Sequence, residues 1–142
     1  MPSEELHALE LLGRVPYGRL ATSMRALPIL AVARHIVVDG RVVLRMHGGL
    51  GYHDACDGTV VAYGADNFNT ASSGDEGELW SVQFTGPAEI VHPTAEQQGR
   101  FGLAPARVNG EPFTPAFLGV DPHFVSVHTL GFHASQPIGN AA

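Results

Sequence analysis

Apolar and polar positions along the chain group into short runs, and the clearest pattern spans residues 27–47. Two runs rich in β-branched residues, LPILAVARHIVV and RVVLRMH, flank the dipeptide Asp39-Gly40. An Asp-Gly pair between apolar runs is the strongest short-range sign of a β-hairpin with a two-residue turn. The pattern therefore predicts two antiparallel strands that reverse direction at Asp39-Gly40.

A two-residue turn also fixes which residues of the hairpin face each other. It places Arg34 directly opposite Arg45, and it places His47 one pair further, opposite Val32. Like charges opposed on one sheet face repel each other. An anion between them reverses the effect, because guanidinium groups match the geometry of phosphate. The register predicts a phosphate-bearing ligand held by Arg34 and Arg45, with two solvated surface arginines as the alternative.

The rest of the pattern predicts four more strands and two short helices. Residues 79–91 alternate most clearly, because every second residue from Trp80 to Phe84 is apolar. Gly86-Pro87, later in the same run, indicates a bulge or bend. The other predicted strands are 17–23, 59–63 and 123–129, and the predicted helices are 3–12 and 93–101.

Because strands outnumber helices and turns are frequent, we predict a mainly β fold, a small antiparallel barrel with a few short helices. The hairpin strands are apolar on both faces, which indicates a barrel interior on one side and a cover on the other. A second subunit is one candidate for that cover. Residues 102–122, rich in Gly and Pro, are predicted to be irregular, and residues 135–142 to be a flexible tail. Residues 1–134 then form a single domain.

Composition narrows the class of protein. The chain has 142 residues, of which 44% are hydrophobic and 15% charged, values typical of a globular domain. The formal net charge of −6 argues against a nucleic-acid partner. The apolar runs are too short to span a bilayer, so we expect no membrane partner. The acidic N-terminal segment has no basic region typical of a signal peptide, so we expect a cytoplasmic location.

The residue types limit the possible chemistry. All eight cationic side chains are arginines, so the chain has no lysine to form a Schiff base or act as a general base. An anion site must use arginine, histidine, hydroxyl or backbone N–H groups. The single cysteine, Cys56, excludes an internal disulfide and a multi-thiolate metal site. His47, His53 and Asp54 are of types that bind metals, but their spacing with Cys56 matches no standard motif, and we predict no metal.

Four segments together resemble the pyridoxamine 5'-phosphate oxidase-like family of FMN-binding split barrels. The likeness extends over residues 11–131, and the segments are GRLATS (18–23), the hairpin around Asp39-Gly40, LWSVQFTGPAEIV (79–91) and VSVHTLGF (125–132). The resemblance implies a homodimer of six-stranded antiparallel split barrels. It also implies FMN bound at the boundary between the subunits.

The family pattern assigns residues of this chain to the cofactor site. The resemblance implies that Ala31, Val32 and Ala33 lie along the flavin ring. It also implies that side chains of the second and third strands and of the loop after them hold the flavin phosphate, and these are Arg34, Arg45, Met46, His47, Gly51 and Tyr52. The later strand with Trp80, Ser81 and Gln83 completes the predicted cofactor-binding set and approaches from the same subunit or from its partner. The chain departs from the family at Met46, where many members carry Thr or Ser, and in having no lysine. The phosphate-binding residues are therefore altered, and deazaflavin F420 or haem are the alternative cofactors.

The function predicted from these observations is that of a flavin-dependent oxidoreductase acting on a small-molecule redox substrate. No acid–base dyad stands out, so no catalytic residue is assigned. A true pyridoxamine phosphate oxidase is not expected, because residues 125–132 contain no arginine for a substrate phosphate. The alternatives are a non-catalytic carrier or sensor of F420 or haem, and a degenerate barrel that has lost its cofactor.

Overall fold

A computed structural model describes residues 3–69 and 78–131 of the chain. Its helices are α1 (Ser3–Leu12), α2 (Tyr52–Cys56) and α3 (Ala95–Arg100). Its strands are β1 (Tyr17–Met24), β2 (Leu27–Val38), β3 (Arg41–His47), β4 (Val60–Asp66), β5 (Leu79–Ile90), β6 (Arg107–Val108), β7 (Glu111–Pro112), β8 (Pro115–Val120) and β9 (His123–Leu130). The tail predicted at 135–142 lies outside the described residues.

Six of the strands close into an antiparallel barrel. Their order is β4-β1-β2-β3-β8-β5, and pairing between β5 and β4 closes the ring. A seventh strand, β9, pairs with β5 outside the ring. The predicted mainly β, six-stranded antiparallel barrel is therefore confirmed. No helix in the described ranges is long and apolar enough to cross a membrane.

The hairpin of β2 and β3 forms as predicted. Asp39 and Gly40 have φ angles of 51° and 82°, the left-handed conformation that a tight I′ turn requires at both positions. Arg34 lies opposite Arg45, which confirms the predicted register. The predicted pairing of His47 with Val32 is wrong, because β2–β3 pairing ends at the two arginines. Beyond that point β3 stays paired with β8, where His47 faces Pro115, and so it diverges from β2.

The identity of the sixth barrel strand differs from the prediction. Residues 123–129 were expected to complete the barrel, and 102–122 to be irregular. Instead β8 inserts between β3 and β5, with Leu118 and Val120 fully buried, and β9 lies outside. The run PAFLGV was not predicted as a strand because it is short and has Pro or Gly at or near both ends.

The dipeptide Gly86-Pro87 marks the point where β5 changes partner. Before it, residues up to Thr85 pair with β9, and after it Ala88 begins the pairing with β8. The β8–β9 turn crosses β5 so closely here that a Cβ at Gly86 would collide with the carbonyl oxygen of Asp121. A bulge or bend was predicted at Gly86-Pro87, but the register shift against β9 lies earlier in the strand, between Gln83 and Thr85.

The hydrophobic core lies on two sides of the hairpin strands. The main cluster fills the barrel and includes Leu44, Val82 and Phe84, with α1 packed against it. A smaller cluster outside the barrel joins Phe101, just after α3, to Ile36 and Val43. The hairpin strands thus have apolar contacts on both faces, as their sequence predicted, and α3 with its following segment supplies part of the cover.

Candidate functional site

A pocket opens between β2 and β3, where the two strands diverge beyond the opposed residues Arg34 and Arg45. Its volume is about 360 Å³. One wall is the segment of β2 from Leu30 to Arg34, and another is the end of β3 from Arg45 to His47. We call it the divergence pocket, and its remaining lining residues are Tyr17, Leu50, Tyr52, Pro105, Val108 and Phe113.

The β2 wall presents backbone groups that have no strand partner. The N–H of His35 donates to the Pro16 carbonyl (3.0 Å), so His35 directs its backbone polar groups toward the β1 side. Because these groups alternate along an antiparallel strand, those of Val32 and Leu30 point the other way, toward β3. Pairing with β3 has already ended at Arg34. The amides and carbonyls of Val32 and Leu30 therefore face the divergence pocket and are available to a ligand.

Arg45 is buried in an aromatic and polar setting. Its side chain is on the outer face of β3, and the residue is only 7% exposed. The guanidinium carbon lies 5.3 Å from the ring centre of Phe101 and 5.9 Å from that of Phe113. The group donates to the carbonyls of Gly102 (3.0 Å) and Leu103 (3.3 Å). These contacts hold the guanidinium in place while leaving some of its five N–H donors free.

Arg34 points its guanidinium toward neighbouring backbone carbonyls. It donates to those of His35 (2.5 Å), Pro16 (3.2 Å) and Arg100 (3.4 Å). Burial lowers the pKa of Arg34, the ionisable hydroxyl of Tyr17 opposes that shift, and the positive charge of Arg45 adds to the lowering. The two arginines are thus near enough to repel each other.

Carboxylates do not neutralise this pair within the part of the chain that the structure describes. The ion pairs formed there involve Arg14, Arg41 and His53, and none includes Arg34 or Arg45. Two positive charges whose partners are carbonyls and aromatic rings, with no carboxylate among them, attract an anion. The opposed arginines predicted from the sequence are therefore present at the pocket, and their role in binding stays a prediction.

His47 is held in one orientation beside the pocket. Its Nδ1 accepts a hydrogen bond from the Thr114 amide (3.2 Å), which leaves Nε2 as the protonated nitrogen of the neutral ring. The ring also stacks on Phe113 at 5.7 Å between centres. A Cβ at Gly49 would collide with Nε2, so glycine at that position allows this orientation.

The other predicted site residues divide into two groups. Ala31, Val32, Ala33, Met46 and Tyr52 line the divergence pocket, together with the arginines and His47. Gly51 lies between the lining residues Leu50 and Tyr52, as the left-handed N-cap residue (φ 76°) that precedes α2.

Trp80, Ser81 and Gln83 lie elsewhere. Trp80 is buried in the core, whereas Ser81 and Gln83 line a second, more open pocket of about 540 Å³ on the outside of the barrel. Leu30 borders both pockets. Within one subunit the structure does not bring these three side chains to the divergence pocket.

Sequence reasoning missed the residues that cover the pocket. Phe113, Val108 and Pro105 come from the segment predicted to be irregular, and Phe101 packs over Arg45. A signal was present, because Asn109-Gly110 is a typical hairpin turn and joins β6 to β7.

The closed six-stranded antiparallel barrel, with a pocket where β2 and β3 diverge, is the fold of a split barrel. The chain belongs to the pyridoxamine 5'-phosphate oxidase family, whose model matches residues 4–129. The family resemblance found in the sequence is confirmed.

Three individual proteins illustrate the relationship. An uncharacterised protein of Mycobacterium tuberculosis, Rv0080, is 36% identical over 100 residues, which are 66% of this chain and 62% of the relative. The chain thus spans less than two thirds of that relative's length. An FAD-binding protein of Mycobacterium smegmatis has the same fold, with a TM-score of 0.65, 21% identity, and coverage of 94% of this chain and 98% of that one. A haem-binding protein of the same species gives a TM-score of 0.61 at 16% identity, covering 92% of this chain and 59% of that one.

Proposed function

We propose that this protein binds a flavin nucleotide, of which FMN is the smallest form, in the divergence pocket. The observation that carries the proposal is the free edge of β2 at Leu30 and Val32 beside two arginines that have no carboxylate partner in the described residues. An unpaired strand edge offers alternating donors and acceptors to a planar heterocycle. The arginines offer a counter-charge for the phosphate attached to it.

The residues present fit such a ligand. The volume of about 360 Å³ falls in the range of about 300–1,000 Å³ typical of small-molecule sites. The lining is mostly apolar, which suits an aromatic ring system, and its polar groups are few. The chain lacks lysine, but Arg45 is fixed by two aromatic rings and two carbonyls, so it can present its remaining N–H groups without further ordering.

A bound flavin supplies hydride and electron transfer, and the protein orients it and excludes water. Arg34 and Arg45 hold the phosphate end, and the backbone of Leu30 and Val32 orients the ring. His47 also lines this pocket, with its Nε2 close to Gly49. On this basis the protein is a flavin-dependent oxidoreductase of a small-molecule substrate, with no catalytic residue assigned.

The site is completed by a second copy of the chain. Leu30 and Val32 are 65% and 59% exposed, and both line the divergence pocket. Leu30 also borders the second pocket, so its exposed side chain joins the two linings. Large exposed apolar surface of this kind is usually covered by a partner. A homodimer covers it, and gives Ser81 and Gln83 of one subunit a route to the flavin of the other.

The absorption spectrum of freshly purified protein tests the proposal. We expect flavin bands that bleach with a reductant and return in air, either directly or after incubation with FMN and removal of the excess. A colourless protein that takes up no flavin would contradict the proposal and favour a barrel that has lost its cofactor.

A non-catalytic haem- or F420-binding module is the second candidate. The fold shared with a haem-binding protein supports it, and His47 supplies an imidazole at the pocket. His47 is less suited as an iron ligand, because its Nδ1 is occupied and its Nε2 lies against Gly49. A Soret band in place of flavin bands would favour haem, and retention of F420 alone would favour a deazaflavin module.

A further inference from the structure

Residues 102–114 form a strap that packs on the barrel at the divergence pocket, and we call this segment the strap. It contains the β6–β7 hairpin, whose turn residues Asn109 and Gly110 have φ angles of 52° and 83°. Within the strap only Val108 and Phe113 are half-buried, and both line the divergence pocket. The strap therefore packs on the barrel mainly through side chains that belong to the ligand site.

Both ends of the strap are hydrogen-bonded to the end of β3 and the residue after it. At the first end, Arg45 donates to the carbonyls of residues 102 and 103. At the other end, the Thr114 amide donates to Nδ1 of His47, and the N–H of Gly48 donates to the Thr114 carbonyl (2.7 Å). Arg45 thus serves the strap and the candidate phosphate site at once, so a ligand that engages its guanidinium also acts on the strap.

Phe113 contacts both polar side chains at the end of β3. Its ring centre lies 5.9 Å from the guanidinium carbon of Arg45 and 5.7 Å from the centre of the His47 ring, to which it is inclined by 30°. A guanidinium within about 6 Å of a ring centre is attracted to the face of that ring. Because Thr114 follows directly and is hydrogen-bonded through both of its backbone groups, the main chain fixes where the Phe113 ring lies.

We propose that Phe113 is a positioning residue for the phosphate end of the flavin site. It holds Arg45 and His47 in place, so that phosphate binding and docking of the strap stabilise each other. Such coupling is reciprocal, because a ligand that binds better when the strap is docked also keeps it docked. This inference rests on the proposed flavin site and adds the side chain that orders its phosphate end.

Titrations with FMN and riboflavin test the role of Phe113, because these ligands differ only in the phosphate. Phe113→Leu keeps an apolar lining and removes the ring that Arg45 and His47 contact. It should weaken FMN binding about tenfold, the scale of a partly desolvated cation–π contact, and change riboflavin binding by less than about twofold. Phe113→Tyr restores the ring and should bring the FMN affinity back to within about threefold of the wild type.

Phe68→Leu is the matched control, because it makes the same change at an exposed phenylalanine outside the divergence pocket. It should leave both affinities unchanged. Equal losses of FMN and riboflavin affinity in Phe113→Leu, unchanged FMN affinity, or no recovery in Phe113→Tyr would overturn the role of Phe113 and leave the flavin site intact. Failure of the wild type to bind either ligand would overturn the flavin site and this inference with it.

Limited trypsin digestion of the wild-type protein tests the coupling without any substitution. The chain has no lysine, so trypsin cuts only after arginines, and Arg107 is an exposed arginine within the strap. Cleavage after Arg107 should slow about tenfold with FMN at ten times its Kd, because it requires the strap to undock. Riboflavin at the same saturation should slow it by less than about threefold.

Arg25 provides the internal control in the same digest, because it is an exposed arginine in the β1–β2 turn. Mass spectrometry of the fragments measures both cleavage rates, and the rate after Arg25 should not change with either ligand. Equal cleavage after Arg107 with and without bound FMN, or equal protection by the two ligands at equal saturation, would overturn the proposed coupling.

Discussion

Two buried polar side chains of the barrel, those of His35 and Tyr63, are paired with each other. The imidazole of His35 and the hydroxyl of Tyr63 are fully buried, with Nδ1 and the hydroxyl oxygen 2.5 Å apart. The other ring nitrogen, Nε2, lies 2.8 Å from the carbonyl of Leu12 at the end of α1, to which it donates. This arrangement ties α1 to the barrel wall behind the divergence pocket.

The stability of the protein should depend on the protonation of His35. Burial lowers the pKa of its imidazole, so the folded state keeps the ring neutral while the unfolded state takes up a proton below about pH 6.5. Stability that is present above that pH is lost as the pH falls, by at most about 1.4 kcal/mol per pH unit. Urea unfolding at pH 7.5 and 5.5 measures this loss. His35→Gln should reduce stability at pH 7.5 and show a smaller further loss at pH 5.5; equal losses in both proteins would contradict the assignment.

Gly18 allows Tyr63 to reach this position. A Cβ at residue 18 would lie 2.5 Å from both the Tyr63 hydroxyl and the carbonyl oxygen of Gly64, so the strands or the ring must shift. We expect Gly18→Ala to reduce the free energy of unfolding by about 1–3 kcal/mol, the usual cost of overpacking. Gly99→Ala in α3 is the control, because nothing lies within 4 Å of its Cβ position and alanine favours helix. A chemical denaturation series with equal midpoints for both variants would contradict this account.

Secondary-structure elements differ in how well local sequence predicts them. The β2–β3 hairpin was predicted with its register because the Asp39-Gly40 turn determines both. The position of β8 was not predicted, because its strand state depends on pairing with β3 and β5, which are distant in sequence. A short apolar run does not reveal such partners.

The candidate site, too, was predicted only in the part that local sequence determines. Local register placed Arg34 opposite Arg45, and that part of the prediction held. The cover over Arg45 comes from Phe101 and Phe113, whose positions depend on how the segment after β5 folds back over the barrel. Tertiary packing of this kind leaves no periodic signal in the sequence.

The segment after α3 links stability to the site. Phe101 is 1% exposed and packs on Ile36 and Val43, while its ring also contacts Arg45. We expect Phe101→Ala to cost about 3–5 kcal/mol of unfolding free energy and to weaken flavin binding, because Arg45 loses its packing surface. Thermal denaturation and flavin titration measure the two effects.

Phe68→Ala is the matched control for that variant. It removes the same ring from a residue that is 45% exposed and lies outside the linings of both pockets, so it should destabilise the protein much less than Phe101→Ala. Similar destabilisation by the two variants would show that the outer cluster around Phe101 does not stabilise the site.

On the scale of the whole molecule, the exposed apolar surface around both pockets is the main unexplained feature of a single barrel. Leu30 lies at the junction of the two pockets, so a partner covering one extends over the other. We therefore expect a homodimer in solution at micromolar concentration.

Leu30→Glu should convert that dimer to a monomer, because it places a charge where apolar surface is buried on association. Sedimentation velocity measures the change. Leu6→Glu is the control, since Leu6 is also exposed but lies on α1, outside the linings of both pockets. A wild-type protein that sediments as a monomer would rule out the proposed dimeric site.

Titration of the apoprotein with FMN, followed by flavin fluorescence, tests the account most directly. The wild type and Arg25→Ala should bind FMN with similar affinity, and Arg34→Ala should bind about tenfold to a hundredfold more weakly, since it loses a charge-assisted contact to the phosphate. Urea unfolding of the same samples shows whether Arg34→Ala is folded. FMN binding that is identical in a folded Arg34→Ala variant and the wild type would contradict the assignment of the phosphate to the opposed arginines.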